Sequence, residues 1–227
     1  MPNDLRDVRT RRSAFALFGR QGSPPVLALA VGALVAPRAS LRRFGLRDAA
    51  ALAAVVSVRP FAEWLIHSKV LHAPVRHVGG RRIDTAADHL RHHADPTRPA
   101  PVLLQRKYAI AYSAAVALVG AGVTEAVERT VFHRRWQRSS LTAAAASAGT
   151  LLFYEWTHFL IHTNVPARTR WLRNRRQHHR AHHYRDDTRW FGVTSSFADR
   201  LLGTGGKEAK TERDPHLAGP RRWWVVG

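Results

Sequence analysis

The apolar residues of this chain are grouped into blocks, although its mean hydropathy is slightly negative, as in a polar protein. The blocks predict helices over residues 24–36, 48–67, 107–127 and 139–162. The last three are close to the ~20 residues that a helix needs to cross a bilayer, whereas the first is short and suits a partial or tilted span. We therefore expect an all-α integral membrane helical bundle with three to four spanning helices.

A soluble all-α protein with buried helices is the alternative, because the blocks are rich in alanine and contain Arg59, Glu63 and Glu155. Ionisable residues within a span normally face the bundle interior or mark a functional site. Here they lie toward the histidine-bearing ends of the second and fourth blocks, which favours the membrane interpretation. Small residues in the third and fourth blocks also suit close helix packing in lipid.

The 227 residues contain no obvious linker, so a single main domain is expected. We predict a basic N-terminal tail over residues 1–23, a membrane domain over residues 24–204 and a mobile C-terminal tail over residues 205–227. The chain has no cysteine and no signal-peptide pattern, which argues against a disulfide-stabilised secreted protein.

Ten of the fourteen histidines fall into four tight groups. On an α-helix, positions i, i+3 and i+4 share a face, so each of the two HxxHH triplets is expected to converge on one point. A neutral imidazole offers one lone pair, and ten of them exceed the coordination of any single ion, so two metal ions are the economical inference. The groups are His67 and His72; His89, His92 and His93; His158 and His162; and His179, His182 and His183.

The identity of the metal follows less directly from the ligands. Imidazole suits zinc, copper, iron and nickel, and the chain has no cysteine to supply thiolates. Ten histidines shared by two ions give each about five ligands, which leaves room at octahedral iron for oxygen or water. We favour two iron ions, with zinc as a possible substitute.

Three acids lie close to the histidine groups in sequence: Glu63, Asp88 and Glu155. They are better placed to accept the second ring N–H of a histidine ligand than to bind metal themselves. The alternative for each is an ordinary solvated or helix-capping acid.

The membrane topology predicts where the histidines meet. If the blocks at 107–127 and 139–162 form a hairpin, all four histidine groups lie on one membrane face, in a helical cap. The stretches on that face are rich in arginine, which assigns the cap to the cytoplasm by the positive-inside rule. The loop between the two blocks is basic as well, which weakens this orientation but not the shared face.

Four sequence runs resemble the fatty acid hydroxylase and sterol desaturase superfamily of integral membrane di-iron enzymes, in that family's order and over about residues 55–204. They are EWLIHSKVLH, DHLRHHADP, YEWTHFLIHTNVP and RQHHRAHHYRDDTRWFGVTSSFADRLLGT. The resemblance implies a non-haem di-iron centre that uses O₂ to hydroxylate or desaturate a C–H bond of a lipid such as a fatty acyl chain, a sterol or another isoprenoid. It also implies that the ten grouped histidines are the metal ligands.

The remaining histidines are assigned no metal. His178 would become a ligand only if the last motif were used in a shifted register. His77, His133 and His216 fall outside every motif.

Substrate and partners follow from the same interpretation. Trp64, Trp156 and Phe159 flank the ligands and are expected to line a slot for the lipid, with a plain interfacial role as the alternative. The chain has no haem-attachment sequence or cysteine cluster, so electrons are expected from a separate ferredoxin or haem protein.

The strong positive charge has two further interpretations. A net charge of +20 without a recognised nucleic-acid module argues against nucleic acid, and suits anionic lipid headgroups or an acidic electron donor. A membrane zinc-dependent hydrolase that uses the same histidines is the alternative function.

Overall fold

The computed structural model describes residues 4–133 and 138–206, and this part of the chain is mostly helical, which confirms the all-α prediction. A short antiparallel hairpin pairs β1 (Arg76–Val78) with β2 (Arg81–Ile83). The helices are α1 (Arg11–Phe18), α2 (Ser23–Ser40), α3 (Leu46–Ile66), α4 (Ala87–Ala94), α5 (Pro99–Val102), α6 (Arg106–Thr130), α7 (Arg138–His162), α8 (Arg170–Tyr184) and α9 (Phe197–Leu201). A 3₁₀ turn (Leu5–Asp7) precedes α1, and a π-helical turn (His67–Leu71) continues α3.

These elements form two compact units. The first, called the histidine unit here, comprises the described residues of Met1–Arg11, Pro60–Val102 and Leu160–Gly227. The second, called the helical unit, comprises those of Arg12–Arg59 and Leu103–Phe159.

Within the described residues, three helical stretches are long and apolar enough to cross a membrane: Ser23–Ser40, Leu46–Leu71 and Pro99–Thr130. Only 22%, 17% and 11% of their respective apolar windows are buried in the protein. Large apolar side chains such as Leu52 and Leu118 are exposed there, as contact with lipid tails requires. The first stretch is longer than the block that predicts it, because the helix also includes residues on both sides of that block.

Helix α7 covers the fourth predicted block but is not among the three candidate spans. Ala143, Ala144 and Ala148 are buried on it, and so are hydroxyl-bearing residues such as Ser147. A helix that packs against protein on so many sides does not need the apolar surface that lipid contact requires. Composition therefore does not place residues 139–162 among the candidate spans, and their crossing of the membrane as part of the predicted hairpin stays a prediction.

Helices α6 and α7 approach each other closely at Gly120. A Cβ atom at this position would lie 2.3 Å from Ser147 Oγ and 3.0 Å from the carbonyl oxygen of Ala143. Since real side chains do not come so close, the contact requires a glycine. This is the close packing that the small residues of the third and fourth blocks predict.

Ion pairs connect the helices of the helical unit near the start of α7. The guanidinium of Arg38 in α2 lies 2.8 Å from Asp48 of α3, and Thr142 of α7 donates to the same carboxylate at 2.6 Å. Arg47 and Glu128 form a second pair at 2.6 Å between α3 and α6. Both carboxylates are buried, so each needs its partners to compensate for lost hydration.

The N-terminal segment is packed, which differs from the basic tail predicted over residues 1–23. Leu5 and Val8 are buried, and α1 follows them directly. The Leu5 amide donates to the carbonyl of Thr97 at 2.7 Å, and the Asn164 amide donates to the carbonyl of Val8 at 3.0 Å. Apolar residues scattered among the basic ones supply the buried contacts. The mean hydropathy of the segment does not indicate them, because the basic residues dominate it.

Most of the predicted C-terminal tail lies outside the described residues, which end at residue 206. His216, Trp223 and Trp224 belong to that part. Within the described chain, the Gly205 amide donates to the carbonyl of Asp199 at 2.8 Å, so the start of the predicted tail is bonded to α9.

Candidate metal centre

The first two candidate ligands lie at the two ends of the π-helical turn that continues α3. His67 begins this turn and His72 follows it directly. In a π-helix the backbone bond joins residues i and i+5, so the wider turn brings two side chains five positions apart onto the same side. The His67 and His72 rings are 5.3 Å apart, between their centroids.

Five histidines form the first group, and their Nε2 atoms face a common centre. His67 and His89 are 2.9 Å apart between these atoms, and His89 and His93 are 3.1 Å apart. His182 of α8 completes the group, with its Nε2 3.2 Å from that of His72. The first group is His67, His72, His89, His93 and His182, whose candidate ligand atoms all lie within 4.8 Å of one another.

Backbone carbonyls fix the tautomer of two rings in the first group. His67 Nδ1 lies 2.5 Å from the carbonyl oxygen of Phe191, and His182 Nδ1 lies 2.7 Å from that of Arg189. A carbonyl only accepts, so Nδ1 carries the proton in each ring and Nε2 keeps its lone pair. Both lone pairs therefore point to the centre of the group, as a metal ligand requires.

A second group is built from α4, the end of α7 and α8. His179 Nε2 lies 3.0 Å from the Nε2 atoms of both His162 and His183. His158 lies one helical turn before His162 on α7, at the end of the helical unit. The members from the histidine unit are His92, His162, His179 and His183.

Each HxxHH triplet is divided between the two groups, which corrects the expectation that a triplet converges on one point. His89 and His93 belong to the first group, whereas His92 between them belongs to the second. On α8 the pair at i and i+4 joins the second group, and His182 joins the first. Residues i and i+4 differ by about 40° around a helix, whereas i+3 and i+4 differ by about 100°, so the i+3 side chain points elsewhere.

The two groups adjoin each other. The rings of His93 and His183, one from each group, stack with centroids 4.2 Å apart. Neighbouring positions of α4 and of α8 supply one ligand to each group, so two short helices hold both. The arrangement suits a pair of ions next to each other.

Burial lowers the pKa of several of these histidines and so favours their neutral form. It lowers the pKa of His182 to about 3, although the hydrogen bond to the Arg189 carbonyl acts in the opposite direction. The pKa values of His89 and His183 are also well below the usual range, because of burial and then of neighbouring histidines. Neutral imidazole is the metal-binding form, so these side chains are ready to bind at neutral pH.

The donor set fits a transition metal. All ligand atoms in the two groups are ring nitrogens, which suit iron or zinc, whereas magnesium and calcium prefer oxygen. Several of the rings, including His92, His179 and His182, have no exposed surface. Such a convergence of buried lone pairs is unfavourable unless a cation compensates for it.

The three acids predicted to orient histidines have other hydrogen-bond partners in the structure. The Glu63 carboxylate accepts from the amide and the hydroxyl of Thr194, and Asp88 forms an ion pair with Arg91. Glu155 accepts from Ser23 Oγ at 2.8 Å and from the Leu104 amide at 3.1 Å, within the helical unit. A role of these acids toward a metal ligand stays a prediction.

The segment after α8 contains residues that sequence reasoning missed. It supplies the carbonyls of Arg189 and Phe191, and backbone carbonyls leave no mark in the residue types. Trp190 between them has a positive φ of 56°, a strained conformation that is often found at functional sites. The glycine at position 192 is a sequence signal of close backbone packing in this segment, because a Cβ there would lie 1.8 Å from the carbonyl oxygen of Ser195.

Asp199 contacts a histidine that belongs to neither group. His178 Nε2 lies 2.9 Å from its carboxylate, which also accepts from the amides of Phe191 and Gly192. Burial alone would raise the pKa of Asp199, but these donors outweigh it and the pKa is lowered. The contact directs His178 toward α9 and leaves the predicted register of the last motif in place.

The three aromatic residues predicted to line a lipid slot lie in different surroundings. Trp64 lines a cavity of the histidine unit. Trp156 and Phe159 pack against Phe18 in the helical unit, with ring centroids 5.0 Å and 5.4 Å from it, and Phe159 has no exposed surface. Contact of any of the three with substrate stays a prediction.

Two cavities of the histidine unit reach the histidine groups. The larger, about 480 Å³, is lined by His72 of the first group together with Trp64 and Phe191. The smaller, about 90 Å³, is lined by His162 and His179 of the second group. Each group of histidines thus borders its own cavity.

Comparison with known proteins gives one match. The model of a family described as fatty acid hydroxylase matches residues 52–204, which is most of the chain. The match includes all ten grouped histidines. No curated protein and no solved structure gives a significant match.

Proposed function

We propose a function from one premise: the chain belongs to the fatty acid hydroxylase family. We infer that it is a membrane-bound, O₂-dependent oxidoreductase that hydroxylates or desaturates a C–H bond of a lipid, such as a fatty acyl chain, a sterol or another isoprenoid. The observation that carries this proposal is the pair of adjoining histidine groups. The two groups are suited to two metal ions, and a di-iron oxygenase uses such ions to react with O₂.

The ten grouped histidines are proposed to hold two iron ions. When bound, iron supplies the electron transfer to O₂ and the oxidising power that an unactivated C–H bond requires. The protein contributes position and environment. The carbonyls of Phe191 and Arg189 hold two rings in the ligand orientation, and the buried rings around them exclude water.

Access from the membrane is the second part of the proposal. His67 belongs to the candidate span Leu46–Leu71 and lies near its end. Ligands at the end of a span are close to the membrane surface, where a lipid tail stays in the bilayer while its reacting carbon reaches the site. We assign this end to the cytoplasm, since the segments after His72 and after His162 are rich in arginine.

Electrons are proposed to come from a separate ferredoxin or haem protein. The chain has no cysteine for an iron-sulfur cluster of its own. Exposed arginines of α8, among them Arg170 and Arg173, suit an acidic donor, and arginines near the membrane suit anionic headgroups. We propose no nucleic-acid partner.

The function is tested by supplying the purified protein, in lipid nanodiscs, with a ferredoxin reducing system and extracted membrane lipids. We expect consumption of O₂ and of reductant, and mass spectrometry should find lipids that gain one oxygen or lose two hydrogens. The His182→Ala variant is the control and should give neither. Lipid cleavage without O₂ consumption, in a protein that contains zinc, would instead indicate the hydrolase alternative.

A further inference from the structure

We propose that the 480 Å³ cavity beside His72 takes the oxygen-bearing end of a neutral lipid, an alcohol or a carbonyl compound, and that Ser68 binds this oxygen. The inference rests on the oxygenase function proposed above and adds a substrate class to it. Four properties of the cavity support it: an unsatisfied hydroxyl, apolar walls, balanced charge and its place at the end of a candidate span.

The first property is the hydroxyl of Ser68. Its Oγ is buried and has no hydrogen-bond partner among the described residues. Serine in a helix ordinarily donates to a carbonyl one turn earlier, so a buried hydroxyl without a partner is unusual. Since Ser68 lines the cavity, rotation of its side chain would let the hydroxyl bond to a ligand oxygen there.

The second property is the apolar wall, in which the one polar atom of the Trp64 ring already has a hydrogen-bond partner. Trp64 and Phe191 line the cavity with their rings nearly perpendicular, 6.1 Å apart between centroids. The indole N–H of Trp64 donates to Thr204 Oγ1 at 2.8 Å, so it is already occupied. These side chains therefore offer hydrocarbon surface, which suits the carbon skeleton of a lipid.

The charges around the cavity offset each other. Lys69 and Asp187 both line it and carry opposite charges. Thr188, which also lines the cavity, donates its hydroxyl to Asp186 at 2.6 Å. A fatty acid anion would gain from Lys69 but be repelled by Asp187, whereas a neutral alcohol or carbonyl suits a hydroxyl that can donate and accept.

The position along the helix fits a membrane lipid. Ser68 and Lys69 lie in the last turn of the candidate span Leu46–Leu71. The polar end of a lipid resides at that level of a bilayer, while its tail extends inward. Because His72 also lines the cavity, carbons close to the oxygen come nearest to the first histidine group. The expected site of oxidation is thus near the polar end of the molecule.

The test measures binding, without turnover, to the full-length protein in detergent micelles under anaerobic conditions. The probes are a brominated long-chain alcohol, alkane and fatty acid of equal length, and the readout is quenching of tryptophan fluorescence. The Trp64→Phe variant identifies the signal from the cavity. We expect the alcohol to bind more tightly than the alkane and the acid.

Variants of Ser68 test its role. Ser68→Ala should weaken binding of the alcohol about three- to tenfold, the loss of one hydrogen bond, and leave the alkane unchanged. Ser68→Thr keeps a hydroxyl and should keep the preference. Ser113→Ala is the matched control, because its hydroxyl donates to the Ile110 carbonyl at 3.0 Å within α6.

The outcomes separate this inference from the proposed function. Equal binding of alcohol and alkane by the wild type, tighter binding of the acid, or a preference that survives Ser68→Ala would overturn the inference. Preferential binding of the alcohol by a protein that never oxidises lipid would support the inference and contradict the oxygenase function. Oxidation of lipids without any alcohol preference would do the reverse.

Discussion

The Nε2 atoms of His93 and His182 lie 3.1 Å apart, although 89 positions separate the two residues along the chain. Each belongs to an HxxHH triplet on a short helix, and each joins the first group while its immediate neighbour joins the second. One pair of helices thus builds two sites.

Removing one ligand from either group should lower the metal content of the protein. His182→Ala removes a ligand from the first group, and His92→Ala removes one from the second. We expect each variant to lose bound metal and oxidative activity, measured by elemental analysis and by O₂ consumption. His77→Ala, in the exposed β1 strand, is the control and should bind as much metal as the wild type. Full metal content in His182→Ala and His92→Ala would refute the ligand assignment.

Gly192 should be intolerant of any side chain. A Cβ there would lie 1.8 Å from the Ser195 carbonyl oxygen and 2.8 Å from the Asp199 carboxylate. Gly192→Ala should therefore displace the segment that supplies the Phe191 carbonyl to His67, which weakens metal binding and lowers the melting temperature. In Gly122→Ala the added Cβ meets nothing within 4 Å, so this variant should behave like the wild type. Equal melting temperatures for both variants would contradict the geometry.

The contact between Glu63 and Thr194 should stabilise the histidine unit. Thr194→Val preserves shape but removes the hydroxyl donor from a buried carboxylate. We expect a loss of about 1–3 kcal/mol in the free energy of unfolding. Chemical denaturation in detergent measures it, with Thr130→Val as the control, because the exposed Thr130 hydroxyl donates to the Ala126 carbonyl within its own helix. A Thr194→Val protein as stable as the control would show that the carboxylate does not depend on this hydroxyl.

The metal-free protein should lose stability as the pH falls. Unfolded histidine binds a proton below about pH 6.5, whereas His182 in the folded protein does so only near pH 3. The unfolded state therefore binds more protons in this window, and the free energy of unfolding falls by about 1.4 kcal/mol per pH unit for each such histidine.

Melting temperatures of the chelator-treated protein between pH 7.5 and 5 measure this dependence. His182→Gln removes one of the titrating groups, so its stability should change less steeply with pH than that of the wild type. A melting temperature that stays constant over the whole range would show that the buried histidines do not have the lowered pKa values that their burial implies.

Helical periodicity accounts for what the sequence predicted well. The ten histidines that the sequence singled out are the ones that the structure gathers into two groups, and most of them lie at i, i+3 and i+4 positions, which are close on any helix. The same spacing could not tell that His92 and His93 would separate, because that depends on the direction in which α4 approaches α8. Local spacing sets which side chains are neighbours, and tertiary packing sets the point at which they converge.

Other features depended on contacts that no local pattern records. The Phe191 carbonyl is a backbone group, so the residue type gave no indication that it would contact His67. The small polar residues of α7 are buried by packing with neighbouring helices, and the residue types alone do not show that burial. Leu5 and Val8 are isolated apolar residues in a basic segment, and their burial became visible only in three dimensions.

The number of metal ions per chain tests the central claim most directly. The protein is expressed with ample iron, purified in mild detergent, and analysed for metal and for protein concentration on the same sample. Two adjoining groups of histidines predict about two ions per chain, iron in the active enzyme. A single ion per chain, or none that stays bound through purification, would contradict a two-metal centre.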